Sequence, residues 1–480
     1  MSPAEMHTDD LLSTDQPWNV SLAQLCEVLS LTPSVANADH IHFTRVTTDS
    51  RDIRPGDLFV ALKGERADGH DFIDQVLKAG AHAALIERSI ASSAGPVMLV
   101  DSCIEALGRI AQWWRSQLTL SVIAVTGSNG KTTVKEMVAN ILAAQAQFEG
   151  LNPEEAVLAT RGNFNNHLGL PLTLLRLRPS HRFAVIEMGM NHAGELTNLT
   201  QMGQPDVALV NNVQRAHVGF LGTLEDVARA KAEIFKGLSA SGVAVINADD
   251  PSAEICKQQA QGHRIVLFSV EKNVDVGPID AMVAVHDAYQ PAQQLVIRVG
   301  QRRIACHLPL PGKHSASNAL AAIAATLAIG IDPALACKAL EGFTGVQGRL
   351  RSVAGQNGAR LIDDTYNANP DSVLAAISVL SAQVGTRVLV LGDLGELGDQ
   401  SLSLHAELGR ACLASGIDYL FGLGRDVQEA AKEFGDHART TESPQELCEW
   451  ITPLLANDVT VLIKGSRSMR MERIVEGLAA

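Results

Sequence analysis

The segment GSNGKT at positions 127–132 combines glycines, a lysine and a threonine in the order that phosphate-binding loops use. It follows the apolar run Leu120–Val125 and leads into a stretch with helical periodicity. At such a junction a lysine neutralises nucleotide phosphates, a hydroxyl ligates Mg²⁺, and free N–H groups of the new helix face the anion. Glycines alone are common in βα turns, but Lys131 and Thr132 directly after Gly130 favour nucleotide binding.

The first glycine of the longer phosphate-loop pattern is missing. That pattern, G-x-x-x-x-G-K-[ST], has a glycine five positions before the second one, and this chain has Val125 there. A guanine-nucleotide switch would also need an Asn-Lys-x-Asp sequence for base recognition, which does not occur. The loop therefore indicates nucleotide binding by a shorter variant of the motif.

Other groups capable of chemistry lie at predicted strand ends. Glu187 ends the run AVIE, His217 follows the run DVALVNNV, and Lys231 lies on the next predicted helix. Ligands of doubly wound sheets lie at the carboxyl edge of the strands, so Glu187 is a candidate metal ligand. Taken singly, a strand-end acid is more commonly solvated, and a lone histidine or lysine in such positions usually has no chemical role.

The composition is that of a multidomain globular enzyme. A chain of 480 residues, 46% hydrophobic and 19% charged, should hold about three domains. A net charge of −14 argues against a nucleic-acid partner held by phosphate contacts. Seven scattered cysteines without a C-x-x-C pair argue against a zinc site or a disulfide framework and favour a reducing cytoplasm.

No segment is typical of export or membrane insertion. The N-terminal MSPAEMHTDDLLSTDQPW is acidic and lacks a basic segment followed by an apolar one. The longest apolar run, Ala319–Ile331, is too short to span a bilayer and predicts a buried helix. We therefore expect a soluble cytoplasmic protein with no membrane insertion.

Short β-branched runs alternate with helical patterns, which indicates α/β architecture with mostly parallel sheets. The polar join Arg115–Gln117 and the segment Gly342–Gly348 predict domains at 1–117, 118–345 and 346–480. The middle part has the rhythm of a doubly wound nucleotide-binding sheet, and the last part is a smaller α/β unit. The predicted strands of these two parts are Leu120–Val125, Phe183–Met188, Asp206–Val213, Val243–Asn247, Ile265–Val270, Arg360–Asp364, Arg387–Gly392, Tyr419–Gly424 and Thr460–Gly465.

Several motifs together resemble the Mur ligase and folylpolyglutamate synthetase superfamily. In chain order they are T-G-x-x-G-K-[TSG] at the loop, GNFNN, E-M-G, A-H with K-A-E-I-F, N-A-D-D and LPGKHSASNALAA. The resemblance extends from about Val46 to Val475. It implies a UDP-binding α/β domain, a central P-loop doubly wound sheet domain and a C-terminal Rossmann-like domain. It also implies that ATP phosphorylates a carboxylate and that an amine then attacks the acyl phosphate.

The resemblance implies roles for residues around the loop. The ATP-binding residues would be Gly127, Ser128, Asn129, Gly130, Lys131, Thr132, Thr133, Asn247, Asn318, Arg349 and Asp364. Lys131 would offset phosphate charge, and two Mg²⁺ ions would be organised by Thr132, Glu187, His217 and Lys231. Lys131, Glu187, His217 and Lys231 would be the catalytic set, with Lys231 as a carbamate. Asn247 and Asn318 would lie beside the adenine, although asparagines equally often cap helices.

Two further segments resemble one branch of this family. The element DDTYNANP, with LGDLGELG and LIKGSRSMRMERIV, resembles the branch that joins D-alanyl-D-alanine to UDP-N-acetylmuramoyl-tripeptide for peptidoglycan synthesis. Tyr366, Asn367 and Asn369 would lie near the dipeptide. The segment from Thr47 to Ile73 would bind the UDP group through Ser50, Arg51, Lys63 and Gly64, since an arginine and turn N–H groups suit a pyrophosphate. The basic cluster Lys464, Arg467, Arg470 and Arg473 is also typical of a solvated helix.

Several points stay open at this level. The connection Gln147–Ala159 is longer than is usual for the family, which leaves its geometry undecided. A ligase for diaminopimelate, lysine or glutamate is the nearest alternative, and a nucleotide-regulated binding protein without turnover is an alternative of another class. We expect a monomer whose three domains close around one site.

Overall fold

A computed structural model describes residues 18–64, 67–90, 93–215, 221–271, 280–286 and 293–480, and the elements below are those of these ranges. Its helices are Leu22–Leu29, Ile73–Lys78, Cys103–Ser116, Lys131–Phe148, Pro153–Ala156, Gly169–Leu174, Glu195–Gly203, Leu224–Ala232, Ala253–Gln259, Lys313–Ala328, Pro333–Leu340, Pro370–Ser381, Ser401–Ala414, Val427–Phe434, Pro444–Ile451 and Glu472–Leu478. Short 3₁₀ turns cover Ala38–His40, Gly69–Phe72, Glu233–Gly237, Gln356–Gly358, Gly398–Gln400, Thr452–Leu454 and Arg467–Met469. None of the described helices is long and apolar enough to cross a membrane.

The strands form three larger sheets and one two-stranded ladder. They are β1 (Val20–Ser21), β2 (His42–Phe43), β3 (Arg45–Thr47), β4 (Asp57–Val60), β5 (Ala83–Ile86), β6 (Val97–Leu99), β7 (Ser121–Thr126), β8 (Val157–Ala159), β9 (Phe183–Glu187), β10 (Val207–Val210), β11 (Val243–Asn247), β12 (Arg264–Ser269), β13 (Asp280–His286), β14 (Gln293–Val299), β15 (Arg302–Leu308), β16 (Arg351–Ala354), β17 (Arg360–Asp364), β18 (Thr386–Gly392), β19 (Tyr419–Leu423), β20 (Ala438–Thr441) and β21 (Val459–Lys464).

The central sheet positions the phosphate-loop segment. Its strand order is β15-β14-β13-β12-β11-β10-β7-β9-β8, and the strands from β13 to β8 are parallel. β7 lies between β10 and β9, so the carboxyl ends of three neighbouring strands meet around the loop GSNGKT that follows it. In open α/β sheets this edge, where the strand order changes direction, is where ligands bind.

Two other sheets flank the central one along the chain. The N-terminal sheet, in the order β3-β4-β5-β6, is parallel, and β1 pairs with β2 beside it. The C-terminal sheet has the order β16-β17-β21-β18-β19-β20, with only the edge strand β16 antiparallel. The predicted α/β class with three sheet-containing parts is confirmed.

Apolar residues on both faces of the central sheet explain its stability. On one face, Val134 and Ile141 of the helix Lys131–Phe148 pack with the helix Lys313–Ala328 against strand residues such as Val125. Each fully buried aliphatic side chain contributes about 1.5–3 kcal/mol. The apolar run from Ala319 is thus a buried helix, as predicted, although the helix begins six residues earlier.

The helix Cys103–Ser116 joins the first part of the chain to the central sheet. The indole N–H of Trp114 donates to the carbonyl of Leu177 at 3.0 Å, and the Arg115 guanidinium donates to the carbonyl of Gln204 at 3.2 Å. Trp18 packs edge-on against Trp114 with ring centroids 6.0 Å apart. The domain boundary after residue 117 therefore stays a prediction, because this helix packs against both sides of it.

The long connection from Gln147 to Ala159 forms regular structure. The loop helix ends at Phe148, a short helix covers Pro153–Ala156, and β8 adds an edge strand to the central sheet. Asn152 begins the short helix by accepting a hydrogen bond from the Glu154 N–H at 3.2 Å, which is the usual role of an N-cap side chain.

His181, just before β9, predicts a pH dependence of stability. Its Nδ1 accepts the Arg178 N–H at 2.8 Å, and burial lowers its pKa to about 4. Because an unfolded histidine titrates near ~6.5, the unfolded chain binds a proton between these values that the folded chain does not. We expect the free energy of unfolding to fall as pH is lowered from about 6.5 to 4, and His181→Asn, whose amide oxygen is a non-titrating acceptor, to weaken this slope. Equal slopes for both proteins in urea unfolding at several pH values would contradict the assignment.

Candidate active site

The loop after β7 is shaped as a cradle for an anion. Gly130 has φ +77°, and a Cβ there would lie 2.5 Å from Asn318 Oδ1 and 2.7 Å from Asn211 Nδ2. Only glycine fits this position, because a side chain would be strained by the backbone and by these contacts. The helix Lys131–Phe148 begins at the next residue, so its unpaired N–H groups and its positive end point out of the sheet edge.

A cavity of about 630 Å³ lies between this loop and the C-terminal part of the chain. Many of the predicted site residues line it: Ser128, Asn129, Gly130, Lys131, Thr133, Glu187, Asn318, Arg349, Asp364, Tyr366, Asn367 and Asn369. The structure therefore brings the predicted loop residues together with those of the DDTYNANP element, which are more than 200 positions away along the chain.

Lys131 carries the positive charge closest to the loop. Its Nζ donates to the carbonyl of Gly127 at 2.8 Å and to that of Ser128 at 3.4 Å. Burial lowers the pKa of Lys131, and the Glu187 carboxylate partly offsets this effect. A lysine held in this way can exchange carbonyl contacts for phosphate oxygens without a large rearrangement.

Glu187 and Thr132 form the predicted metal-binding pair. Glu187 is 2% exposed at the end of β9. The Thr132 hydroxyl donates to Glu187 Oε2 at 2.8 Å, and Asn165 Nδ2 donates to Oε1 at 2.8 Å. An oxygen pair with an oriented carboxylate is the donor set that Mg²⁺ prefers. Arg349 also contacts this pair, because its Nη2 donates to the Thr132 hydroxyl at 2.8 Å.

Lys231 is a buried lysine at the end of the helix Leu224–Ala232. It is 1% exposed, and no carboxylate among the described residues forms an ion pair with it. Burial, with a smaller contribution from the Lys131 charge, lowers the pKa of Lys231 well below its usual value. A lower pKa favours the neutral form of the amine. His217, the third predicted metal ligand, lies outside the described residues.

Asn247 and Asn318 are hydrogen-bonded to one neighbour. Asn211 Nδ2 donates to Asn318 Oδ1 at 2.8 Å, and Asn247 Nδ2 donates to the Asn211 carbonyl at 3.1 Å. Both predicted residues line a second, more apolar cavity of about 800 Å³ beside the first. Neither caps a described helix, so the alternative helix-cap role does not explain them.

The DDTYNANP element forms a loop that is held by a cation–π contact and an ion pair. The Arg349 guanidinium lies 4.2 Å from the centre of the Tyr366 ring. Lys464 Nζ donates to Asp364 Oδ2 at 2.7 Å and to the Asn367 carbonyl at 2.9 Å. Burial raises the pKa of Asp364, and the Lys464 cation opposes this.

The basic cluster near the C-terminus divides into two kinds of residue. Lys464 ends β21 and is 3% exposed, so it is not part of a solvated helix. Arg467 is half-exposed and pairs with Glu472, and the exposed Arg473 donates to backbone carbonyls. The solvated alternative therefore fits the later arginines but not the lysine.

The predicted UDP-binding residues lie apart from both cavities. Arg51 is exposed and pairs with Asp49 at 2.7 Å. The N–H of Gly64, the residue after Lys63, donates to the Ala67 carbonyl at 2.9 Å. Ser50 and Lys63 follow the neighbouring parallel strands β3 and β4, at the carboxyl edge of the N-terminal sheet.

Sequence reasoning missed several residues that shape the site. Asn165, which orients Glu187, lies within GNFNN, a segment whose composition alone is typical of a turn. His314 is half-buried in the wall shared by the two cavities, and desolvation lowers its pKa to about 4. Arg215 contacts carboxylates 156 and 192 positions away. Of these three residues, Asn165 and His314 lie within the sequence motifs GNFNN and LPGKHSASNALAA, and Arg215 lies outside the motifs.

Family models match three consecutive parts of the chain. They are the Mur ligase family catalytic domain over residues 40–112, the Mur ligase middle domain over 125–326, and the Mur ligase glutamate ligase domain over 348–467. The chain belongs to the Mur ligase family. The matched ranges lie on either side of the predicted boundaries after residues 117 and 345, which remain predictions.

Individual Mur ligases are similar over nearly the whole chain. The UDP-N-acetylmuramoyl-tripeptide–D-alanyl-D-alanine ligases of Haemophilus influenzae and Escherichia coli are 37% and 38% identical, each covering 96% of this chain and 98% of the relative. A crystal structure of MurF from Acinetobacter baumannii is 34% identical with a TM-score of 0.86, over 96% of this chain and 99% of that one. MurF from Thermotoga maritima in complex with ADP is 29% identical with a TM-score of 0.79, over 90% and 96% of the two chains.

The residues of this Mur ligase fit ATP and Mg²⁺. The glycine cradle admits a phosphate where a Cβ would not fit. Two buried polar atoms without a hydrogen-bond partner belong to residues that line the first cavity: His314 Nε2 and Arg349 Nε. Among the described residues there is no group of three or more His, Cys, Asp or Glu side chains that would hold an ion by itself. A Mg²⁺ ion at Thr132 and Glu187 would therefore also need ligands from the nucleotide or from a modified side chain.

Proposed function

We propose that this Mur ligase joins D-alanyl-D-alanine to UDP-N-acetylmuramoyl-tripeptide in peptidoglycan precursor synthesis, with ATP as the energy source. The observation that carries the proposal is one cavity that combines the Lys131 loop and the Glu187–Thr132 pair with Arg349 and the DDTYNANP loop. The Lys131 loop and the Glu187–Thr132 pair suit phosphoryl transfer. The DDTYNANP loop resembles that of the branch that adds the dipeptide. Relatives carrying that name cover nearly the whole chain.

The reaction is a phosphoryl transfer followed by an acyl transfer. A carboxylate oxygen of the tripeptide attacks the γ-phosphorus of ATP, and the bond to ADP breaks. The dipeptide amine then attacks the acyl carbon, phosphate leaves with that carboxylate oxygen, and the amine loses a proton. Lys131 and Arg349 stabilise the negative charge that moves between these groups, because fixed cations in a partly desolvated cavity cost no reorganisation during the reaction.

Two side chains organise the metal that the reaction needs. Bound Mg²⁺ would neutralise charge on the phosphoryl group and on the carboxylate that approaches it. Thr132 and Glu187 would hold one ion, and Asn165 would keep the Glu187 carboxylate in place by its hydrogen bond. We assign His217 and a carbamylated Lys231 to a second ion. The burial of Lys231, which lowers its pKa and so favours the neutral amine, supports this assignment, since only a neutral amine adds CO₂.

The remaining predicted residues would hold the substrates. Asn247 and Asn318 would contact the adenine in the second cavity, with Arg349 and Asp364 on the side of the C-terminal domain. Tyr366, Asn367 and Asn369 would form the dipeptide site. The UDP group would bind to the N-terminal domain at Ser50, Arg51, Lys63 and Gly64, which are separate from the reaction cavity.

The acceptor is tested by measuring ADP release with one amine at a time. With ATP, Mg²⁺ and UDP-N-acetylmuramoyl-tripeptide present, we expect release to depend on D-alanyl-D-alanine and not on diaminopimelate, lysine or glutamate. A ligase for another amine would give the reverse dependence. ADP formed at the same rate without any amine would exclude a ligase, and no ADP in any mixture would favour a binding protein without turnover.

We also propose a cytoplasmic monomer whose three domains, at 1–117, 118–345 and 346–480, close around the substrates. Closure would exclude water from the acyl phosphate, which water would otherwise hydrolyse. Small-angle scattering should then show a smaller radius of gyration when a non-hydrolysable ATP analogue and the UDP substrate are added. An unchanged scattering curve at saturating concentrations of both would argue against closure.

A further inference from the structure

Arg215 belongs to a segment that is bonded directly to the phosphate loop. The segment Asn211–Arg215 follows β10, and its Asn212 carbonyl accepts the Ser128 N–H at 2.9 Å. The Gln214 N–H donates to the Ser128 hydroxyl at 2.9 Å, and Asn212 Oδ1 accepts the Asn129 N–H at 2.8 Å. The position of Arg215 is therefore fixed relative to the nucleotide-binding residues.

The Arg215 side chain reaches across the cavity to two carboxylates of the C-terminal part. Its backbone N–H donates to Asp371 Oδ2 at 2.7 Å and its Nε to Asp371 Oδ1 at 2.9 Å. Nη1 and Nη2 each donate at 3.1 Å to one oxygen of Glu407. One arginine thus holds two acidic side chains through a fork that lysine could not reproduce.

The three side chains are partly buried. Arg215 is 35% exposed, Asp371 21% and Glu407 39%, and the hydrogen bonds to both acids raise the pKa of Arg215. A network of this kind contributes more than an exposed single pair, because several charge-assisted bonds share one arginine and solvent screens them less. An exposed pair for comparison is Arg302–Asp332, in which both side chains are 55% exposed.

Asp371 lies in the first turn of the helix Pro370–Ser381, two positions after the proposed dipeptide-binding Asn369. Asn369 caps this helix by accepting the Ser372 N–H at 2.9 Å. Its amide also pairs with the amide of loop residue Asn129, at 2.8 Å and 3.2 Å for the two hydrogen bonds. The start of the helix is therefore attached to the phosphate loop at Asn129 and to the adjoining segment at Arg215.

We propose that Arg215 is a positioning residue that holds the start of the helix Pro370–Ser381, and with it the dipeptide site, against the phosphate loop. Arg215 acts through Asp371 and Glu407 and does not take part in bond making. The inference rests on the proposed function, because it assigns Arg215 to the step in which the second substrate meets the activated carboxylate. Glu407 borders neither cavity, so its effect on the reaction would come only through Arg215.

Steady-state kinetics of Glu407→Gln, Arg215→Lys and Arg215→Ala test this role. We expect the KM for D-alanyl-D-alanine to rise about tenfold in Arg215→Ala and several-fold in the other two, with a smaller change in kcat. Arg302→Ala, which removes an exposed pair in the central domain, is the matched control and should leave the KM unchanged. An unchanged KM in Glu407→Gln and Arg215→Ala would overturn the proposal.

A double-variant cycle shows whether the two residues act together. If Glu407 acts through Arg215, adding Glu407→Gln to Arg215→Ala should raise the KM no further than Arg215→Ala alone. Effects that multiply would mean that the two residues act separately, which contradicts the proposal.

Hydrogen exchange provides a readout that does not depend on which amine is the acceptor. In the wild-type chain, the amides at the start of the helix Pro370–Ser381 should exchange about tenfold more slowly than in Arg215→Ala, and Arg302→Ala should match the wild type. Equal exchange in all three proteins would overturn the positioning role even if the enzyme is active. Failure of the proposed function would instead appear as wild-type ADP release that does not depend on D-alanyl-D-alanine, whatever the exchange data show.

Discussion

Replacing Lys131 with methionine is expected to lower the rate of ADP release by about 10³-fold. The methionine keeps most of the aliphatic stem and removes the ammonium that lies over the Gly127 carbonyl. The γ-phosphate and the carboxylate that attacks it would then approach each other with one fewer fixed positive charge. Because burial already lowers the pKa of Lys131, losing this cation should not destabilise the fold.

The control for this experiment is Lys338→Met, at an exposed lysine of the helix Pro333–Leu340. It should keep full activity, and both variants should keep the wild-type thermal midpoint. If Lys131→Met released ADP at more than a tenth of the wild-type rate, the loop would not be the phosphate-binding element described above.

Activity is also expected to depend on dissolved CO₂ through Lys231. Removing the side chain in Lys231→Ala should reduce ADP release by about 10²–10³-fold, since a negative ligand of the second metal would be lost. In the wild type, depletion of bicarbonate should lower the rate and added bicarbonate should restore it. Burial lowers the pKa of Lys231, which favours the neutral amine that adds CO₂, and this amine protonates as pH falls. The stimulation by bicarbonate should therefore be largest at the acidic end of the activity range.

The carbamate itself is observable by ¹³C NMR after addition of labelled bicarbonate. One protein-bound signal should appear in the wild type and be absent in Lys231→Ala. Lys236→Ala is the matched control, because Lys236 lies five positions later and is exposed, with a hydrogen bond to Thr197. Full activity without bicarbonate, together with no bound signal, would contradict the assignment of Lys231.

The parts of the fold with apolar strand patterns were predictable from sequence. Val243–Asn247 matches its predicted strand at both ends, because a strand buried on both faces is a nearly continuous apolar run. Arg360–Asp364 also matches at both ends, although only Leu361 and Ile362 in it are apolar. The hairpin of β14 and β15 was not predicted. In β14 buried and exposed side chains alternate, and polar residues such as Gln294 and Arg298 interrupt the apolar pattern.

Residues of the candidate site were predictable where a side chain capable of chemistry lies at, or shortly after, the end of a predicted strand. Glu187 ends one apolar strand and Lys131 follows the loop after the neighbouring parallel strand, so the carboxyl edge of the sheet brings them together. Arg215 could not be found in this way, since its partners Asp371 and Glu407 depend on how the C-terminal part packs against the central sheet. Such contacts are set by tertiary packing over more than 150 positions and leave no local pattern.

The transfer of oxygen during turnover tests the central claim most directly. UDP-N-acetylmuramoyl-tripeptide labelled with ¹⁸O in its terminal carboxylate is incubated with ATP, Mg²⁺ and D-alanyl-D-alanine, and the released phosphate is analysed by mass spectrometry. Activation as an acyl phosphate predicts one ¹⁸O atom in each phosphate, formed together with one peptide bond. Unlabelled phosphate released with ADP would show that water, and not the carboxylate, attacks ATP, and would contradict the account.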